Sequence, residues 1–235
     1  MADKHLSTQF DHELNSLGSR LLELGGLVES QIRQAIHALG SFDAEVARAV
    51  VVAEDQVNQM EVEIDREISS VIARRQPTAR DLRLLMAISK ATANLERVGD
   101  EAERIARMVQ AILARNGTTR ALPAGELQVA AELASTQLHS VLDAFARLDT
   151  VAALAIMKGD DLLDREFDGF VRKLITYMME DPRTISSSLD LLFVAKAIER
   201  IGDHAKNIAE FIIYVVKGAD VRHTPMEEVE SAVHR

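Results

Sequence analysis

Glu96-Arg97-Val98-Gly99-Asp100 and Glu199-Arg200-Ile201-Gly202-Asp203 are one pentapeptide written twice, 103 positions apart (96 to 199) in a chain of 235 residues. The repetition divides the chain into two halves with one chemical plan. In a helix the Glu and Asp of each copy lie four residues apart, on one face within a turn, where like charges repel unless a cation stands between them.

Outward from the motif, apolar residues recur at steps of three and four, the pattern of amphipathic helices with a near-heptad period. One seam runs Phe10, Leu14, Leu17, Leu21, Leu24, Val28, Ile32, Ala35 and Leu39, with Thr8 and Asp11 placed to cap it. A second runs Val46, Val50, Ala53, Val57, Met60, Ile64, Ile68 and Val71, stopping before Pro77. The third carries the first motif, from a capping pair at Thr78 and Asp81 through Leu85, Ile88, Thr92, Leu95, Gly99, Ala102, Ala106 and Val109 to Asn116-Gly117. After an aperiodic stretch the plan repeats. Leu127 to Leu148 form a fourth seam, and Leu163 to Tyr177 a fifth, with a break or bend expected at Lys158-Gly159 and a stop at Asp181-Pro182. The sixth starts near Ser187, with Asp190 as its cap, and runs to Gly218.

The expected fold is all-α, with two tandem, similar three-helix bundles built from six long antiparallel helices. The first repeat spans 6–115, a connecting loop 116–126, the second repeat 127–218, and a tail of one short helix or fraying chain 219–235. Composition agrees: aromatic residues are 4%, Trp is absent and Pro occurs 4 times, whereas Ala, Leu, Glu and Arg abound.

The formal charge of −10 repels nucleic-acid phosphates and anionic lipid, so neither nucleic-acid binding nor membrane insertion is expected. No apolar run approaches the ~20 residues that span a bilayer. Residues Met1 to His5 lack the basic and apolar regions of a signal peptide, and with no Cys in the chain a cytoplasmic location is expected.

Glu96, Asp100 and Glu103 border the third seam, and Glu199, Asp203 and Glu210 border the sixth. The preceding helices add Glu54, Asp55 and Glu61 in the first repeat and Asp160, Asp161 and Asp164 in the second. Oxygen donors without thiolates suit magnesium, manganese, calcium or iron, and zinc is also compatible. The alternative is a solvated acidic face neutralised by Arg97, Arg104 and Arg200. The duplication favours the metal, as do Gly99 and Gly202, since an interior helical Gly costs about 1 kcal/mol relative to Ala and marks a close approach to the backbone. His204 reads either as a surface residue or as a further ligand; its counterpart is Glu101. The residues three after Glu96 and Glu199 are glycines rather than the His of a di-iron oxidase, and no phosphate loop or nucleophile constellation is present, so no enzymatic activity is expected.

Two Glu-Arg-x-Gly-Asp motifs on the last helices of two three-helix repeats resemble the PhoU family of bacterial phosphate-signalling regulators. Arg74-Arg75-Gln76-Pro77-Thr78-Ala79, Thr176-Tyr177-Met178-Met179-Glu180-Asp181 and Val216-Lys217-Gly218 with Arg222-His223 resemble its proteobacterial branch, and the likeness runs from about Gln9 to His223. The resemblance implies a cytoplasmic, non-enzymatic adaptor that represses the phosphate-starvation response. Such an adaptor works between the ATPase subunit of the phosphate-specific ABC transporter and a PhoR-type sensor histidine kinase, and a homodimer is the expected assembly. It also implies divalent or trivalent metal ions (Mg, Mn, Fe or Zn) held by Glu96 and Asp100 and by Glu199 and Asp203, with Asp55, Glu61, Asp161 and Asp164 as partners. Asn58 stands where the second repeat has Asp164, which leaves the first site the weaker of the two on this reading. The rivals are a metal-dependent oxidase or hydrolase and a metal-free helical scaffold.

Overall fold

Each apolar seam closes into one helix. The computed structural model describes residues 8–115 and 122–234: α1 (Thr8–Ser41), α2 (Ala44–Arg75), α3 (Ala79–Ala114), α4 (Gln128–Arg147), α5 (Thr150–Glu180), α6 (Ile185–Lys217) and a short α7 (Met226–His234). Among the described residues there is no strand. The expected stop at Asn116-Gly117, the first part of the 116–126 connection, the first two residues of the 6–115 repeat and Arg235 lie outside them. No described helix is long and apolar enough to cross a membrane.

The repeat reaches down to the turns. Phe42 and Leu148 take left-handed backbone conformations (φ 51° and 50°), and each is followed by an Asp that starts the next helix. Asp43 accepts from the amides of Glu45 and Val46 at 2.9 and 3.1 Å, and Asp149 from those of Val151 and Ala152 at 3.0 Å each. These are first-turn amides with no partner inside the helix.

α1, α2 and α3 pack on one another, as do α4, α5 and α6, and the two bundles join through α3 against α6 and α1 against α4. α3 and α6 run antiparallel: the start of α3 reaches the end of α6 through Arg83 and Val215, and Arg115 at its end reaches Ser186 and Asp190. Residue 94 pairs with 207 and 101 with 200, a register that sets Gly99 level with Gly202. Both helices are therefore buried on two faces. On α3 the seam residues are joined by Ala91, Val98, Ile105 and Ile112, and on α6 by Leu191, Val194, Ala197 and Ile201, all at 1% exposure or less. One apolar core runs through both bundles. At the α1–α4 contact Gly25 makes room for the Leu142 side chain, and α1 is continuous there.

Four local expectations change. α5 passes through Lys158-Gly159 as unbroken helix, because Ala153, Leu154, Ile156, Met157 and Asp160 hold that stretch against the core. α6 starts at Ile185, after a single 3₁₀ turn (Pro182–Thr184) that Asp181 caps through the Arg183 amide. Asp190 is inside the helix, ion-paired with Arg115 across the seam between bundles. Thr78 holds the N-cap position of α3 but makes no side-chain capping bond.

Replacing Asp43 or Asp149 by Ala should each lower stability in urea unfolding by about 1 kcal/mol, the usual worth of an N-cap. The two losses should add, since the caps belong to different bundles.

Candidate metal centres at the duplicated motif

Each pentapeptide serves three directions. Val98 and Ile201 are buried in the core. Arg200 turns to the α3–α6 seam and donates to Glu101 at 3.1 Å, with Arg104 at 3.4 Å from the same carboxylate, whereas Arg97 is exposed and its charge acts both on His204 and on Glu61, Glu96 and Asp100. The Glu and Asp project toward the preceding helix of their own bundle.

At the first motif that helix supplies Glu54. This carboxyl is 3% exposed and occupies the space beside Gly99, where a Cβ would stand 2.7 Å from Oε2 and 3.0 Å from Oε1. The close approach signalled by Gly99 is that of a carboxylate. Gln31 of α1 donates to Glu54 Oε2 at 3.0 Å, while Oε1 has no hydrogen-bond partner. Burial pushes the Glu54 pKa up to about 7; the Gln31 bond opposes the rise, and the charges of Asp100, Glu103 and Glu96 add to it. Glu61, Glu96 and Asp100 are raised in the same sense, each by burial first and then by a neighbouring carboxylate.

At the second motif α5 supplies Asp160, 4% exposed, whose Oδ2 accepts from Lys206 at 2.6 Å. Lys196 holds Glu199 at 2.6 Å. Burial, with Glu199 and Asp160 adjacent, lifts Asp203 to about 6, and Asp164 is raised by the same causes. The space beside Gly202 is filled by Leu163 and by Gln137 Oε1, 2.8 Å from where a Cβ would be. Glu210 stands apart from this group, facing Lys206, His223 and Arg222.

Glu96, Asp100 and Glu61 thus share one neighbourhood, and Glu199, Asp203 and Asp164 another. Asp55 and Asp161 are exposed neighbours of the buried acids directed at the motif, Glu54 and Asp160, and of the two Asp161 acts weakly on Asp164. Helical phase is the reason. On α2 the buried line is Val50, Glu54, Val57, Ile64, so Glu54 takes the place the apolar seam assigns to Ala53. Gln31 and Gln137, missed in the sequence, signal themselves only as polar residues on an apolar face. His204 is neither a surface histidine nor a member of the carboxylate group: its Nδ1 pairs with Asn94 Oδ1 across the seam at 3.0 Å, and Asn207 donates to the same oxygen at 3.1 Å. Burial, with Arg97 and Arg200 nearby, lowers its pKa to about 4.

Among the described residues no three His, Asp or Glu side chains already converge as a ligand set. The donor chemistry of the first group nevertheless fits a hard cation: all-oxygen donors, a buried carboxylate oxygen without a partner, and glycine-made room beside it.

The PhoU domain model matches the chain twice, at 21–109 and 127–212. The chain belongs to the PhoU domain family. A Burkholderia sp. relative, a phosphate-specific transport system accessory protein PhoU homolog, is 50% identical over 97% of both chains. The Escherichia coli K12 phosphate-specific transport system accessory protein PhoU is 45% identical over 97% of this chain and 93% of its own. The crystal structure of PhoU from Pseudomonas aeruginosa superposes with a TM-score of 0.85 at 43% identity, covering 89% of this chain and all of that one. PhoU of Streptococcus pneumoniae, a phosphate transport system regulatory protein, gives 0.83 at 28% identity. Family membership and the two-bundle fold agree with the sequence reading.

The raised carboxyls have a signed consequence for this PhoU-family chain. A folded pKa of about 7 for Glu54 against the ordinary 4.5 of the unfolded chain means the folded state holds the extra proton between those values. The stability this provides is complete below the unfolded pKa and is lost as pH rises through the folded one. The melting temperature of chelator-treated protein should therefore fall between pH 6.5 and pH 8, above the range in which His204, lowered from 6.5 to about 4, adds stability as pH rises, and Glu54→Gln should flatten the fall. Asp220, which its bond to Arg222 holds down to about 2, acts below that window.

Proposed function

We propose that this protein is a cytoplasmic negative regulator of the phosphate-starvation response, an adaptor between the phosphate-specific ABC transporter and a PhoR-type sensor kinase. The observation that carries this reading is identity of 45–50% over 97% of the chain to phosphate transport accessory proteins. Its helical faces contact the transporter's ATPase subunit on one side and the kinase's cytoplasmic part on the other, and that recruitment brings it to the membrane. Repression requires only that it bind the kinase's non-phosphorylating state more tightly than the other, by an amount that sets the shift. No turnover by this chain is needed. A homodimer is the proposed working assembly.

The carboxylates of the duplicated motif are the proposed holders of a hard cation, with magnesium, manganese and iron suited to oxygen donors and zinc also compatible. When bound, the ion supplies charge neutralisation. Glu54, Glu96 and Asp100 supply the negative charge it neutralises, and Gln31 fixes the Glu54 carboxyl in place.

Deleting the gene should derepress phosphate-starvation genes in phosphate-rich medium, measured as reporter expression, and the intact chain should restore repression. Affinity capture from phosphate-rich cells should retain the transporter ATPase subunit and the kinase. Normal repression in the deletion strain would remove this reading.

A further inference from the structure

We infer that the two acidic clusters are not equivalent: the first takes a divalent cation, whereas the second is occupied by the chain's own ammonium groups, chiefly that of Lys206. The inference rests on the metal reading above and reverses the ranking suggested by Asn58.

Position 206 in α6 corresponds to position 103 in α3 by the same offset that relates the motifs, so one repeat has Lys where the other has Glu. The consequence is visible in the partners. Lys206 reaches Asp160 at 2.6 Å, and Asp160 is the buried acid that faces the second motif as Glu54 faces the first. Lys196 closes on Glu199 at 2.6 Å, and its counterpart in the first repeat is Ala93. A divalent ion entering this cluster must first expel a paired ammonium from a buried carboxylate. The affinity of such an ion is reduced by the strength of the pair it displaces.

The first cluster has no such resident. Among the described residues none of Glu54, Glu61, Glu96 and Asp100 makes an ion pair within 4.0 Å, and Glu103 turns away to Arg107 on its own helix at 2.5 Å. The buried Oε1 of Glu54 has neither a hydrogen bond nor a cation, and Gly99 leaves space beside it. At the second cluster the corresponding space holds Leu163 and the Gln137 amide oxygen. Four carboxylates lack an ion pair, one of them buried and three balanced only at longer range by Arg97 and Arg104, and that leaves a place for a cation from solution. Two of the four at the other end have one attached by a covalent tether.

The test uses full-length, metal-stripped protein titrated with Mn²⁺, following free Mn²⁺ by electron paramagnetic resonance and heat by calorimetry. The wild type should bind one equivalent per chain. Asp100→Asn should weaken it about tenfold or more, and Asp203→Asn should leave the affinity unchanged. Lys206→Met should create a second equivalent, and Mn²⁺ should raise the melting temperature of this variant more than that of the wild type. Should Lys206→Met fold poorly, Glu103→Lys carries the lysine into the first cluster at a partly exposed position and should weaken binding about tenfold or more. Two equal sites in the wild type, equal losses in Asp100→Asn and Asp203→Asn, or undiminished binding in Glu103→Lys would overturn the inference while leaving the metal reading standing. No Mn²⁺ binding in any variant would remove the metal reading and this inference with it.

Discussion

Helices α3 and α6 are each packed on two faces, leaving α3 one exposed stripe through Arg97, Asp100, Arg104 and Arg107, and the positions of both acidic clusters follow from that constraint. Each packs into its own bundle on one face and against the other on a second, so every polar group in the seam needs a partner there. Asn94, Asn207 and His204 satisfy one another, and Glu101 is held by Arg200 and Arg104. Because Arg200 points into the seam and Arg97 lies exposed near His204, the Glu one residue earlier and the Asp three residues later emerge on the side of α2 or α5. The pentapeptide is thus a junction in which adjacent residues serve different neighbours.

Where α2 and α5 meet that junction, each presents one buried acid. Burying a carboxylate without compensation is costly, and proteins meet the cost by protonation, by hydrogen bonds or by a counter-ion. Glu54 shows the first two, with a pKa near 7 and a bond from Gln31. Asp160 shows the third, through Lys206. Lys206 is itself pulled in both directions: burial, the largest single effect, lowers its pKa, but the bond to Asp160 together with the charges of Asp160, Asp203 and Glu210 leaves it raised.

Much of this was legible in the sequence, because helix period and duplication are local signals. The α1 seam, read as Phe10 to Leu39, is buried at every position named. The α3 and α6 seams gave one buried face and missed the second, since Val98 and Ile201 become interior only when another bundle arrives. On α2 Glu54 was named among the candidate acids, but the ligand set took Asp55, because the apolar seam was read one residue out of phase, through Ala53. Asp190 had the spacing of a cap and became an ion-pair partner because Arg115, 75 positions away, reaches it. The glycines were read correctly as marks of close approach, but sequence could not say what approaches: a carboxylate at one and a leucine with an amide at the other.

The seam is only partly symmetric, since Asn94 and Asn207 correspond to Ala197 and Arg104, and a second departure from symmetry bears on why the repeats share a chain. Each motif Arg faces the residue that follows the Asp of the other copy, so that Arg200 meets Glu101 and Arg97 lies near His204. A first repeat doubled on itself would set Arg97 against Glu101 twice, a charge-matched two-fold interface. A second repeat doubled on itself would set Arg200 against His204 twice, with each guanidinium facing a ring that gains nothing by ionising. Only the fused pair places one charged and one neutral contact on a single seam. Covalent linkage releases the halves from self-complementarity, and sequence change at one copy then needs no matching change at the other.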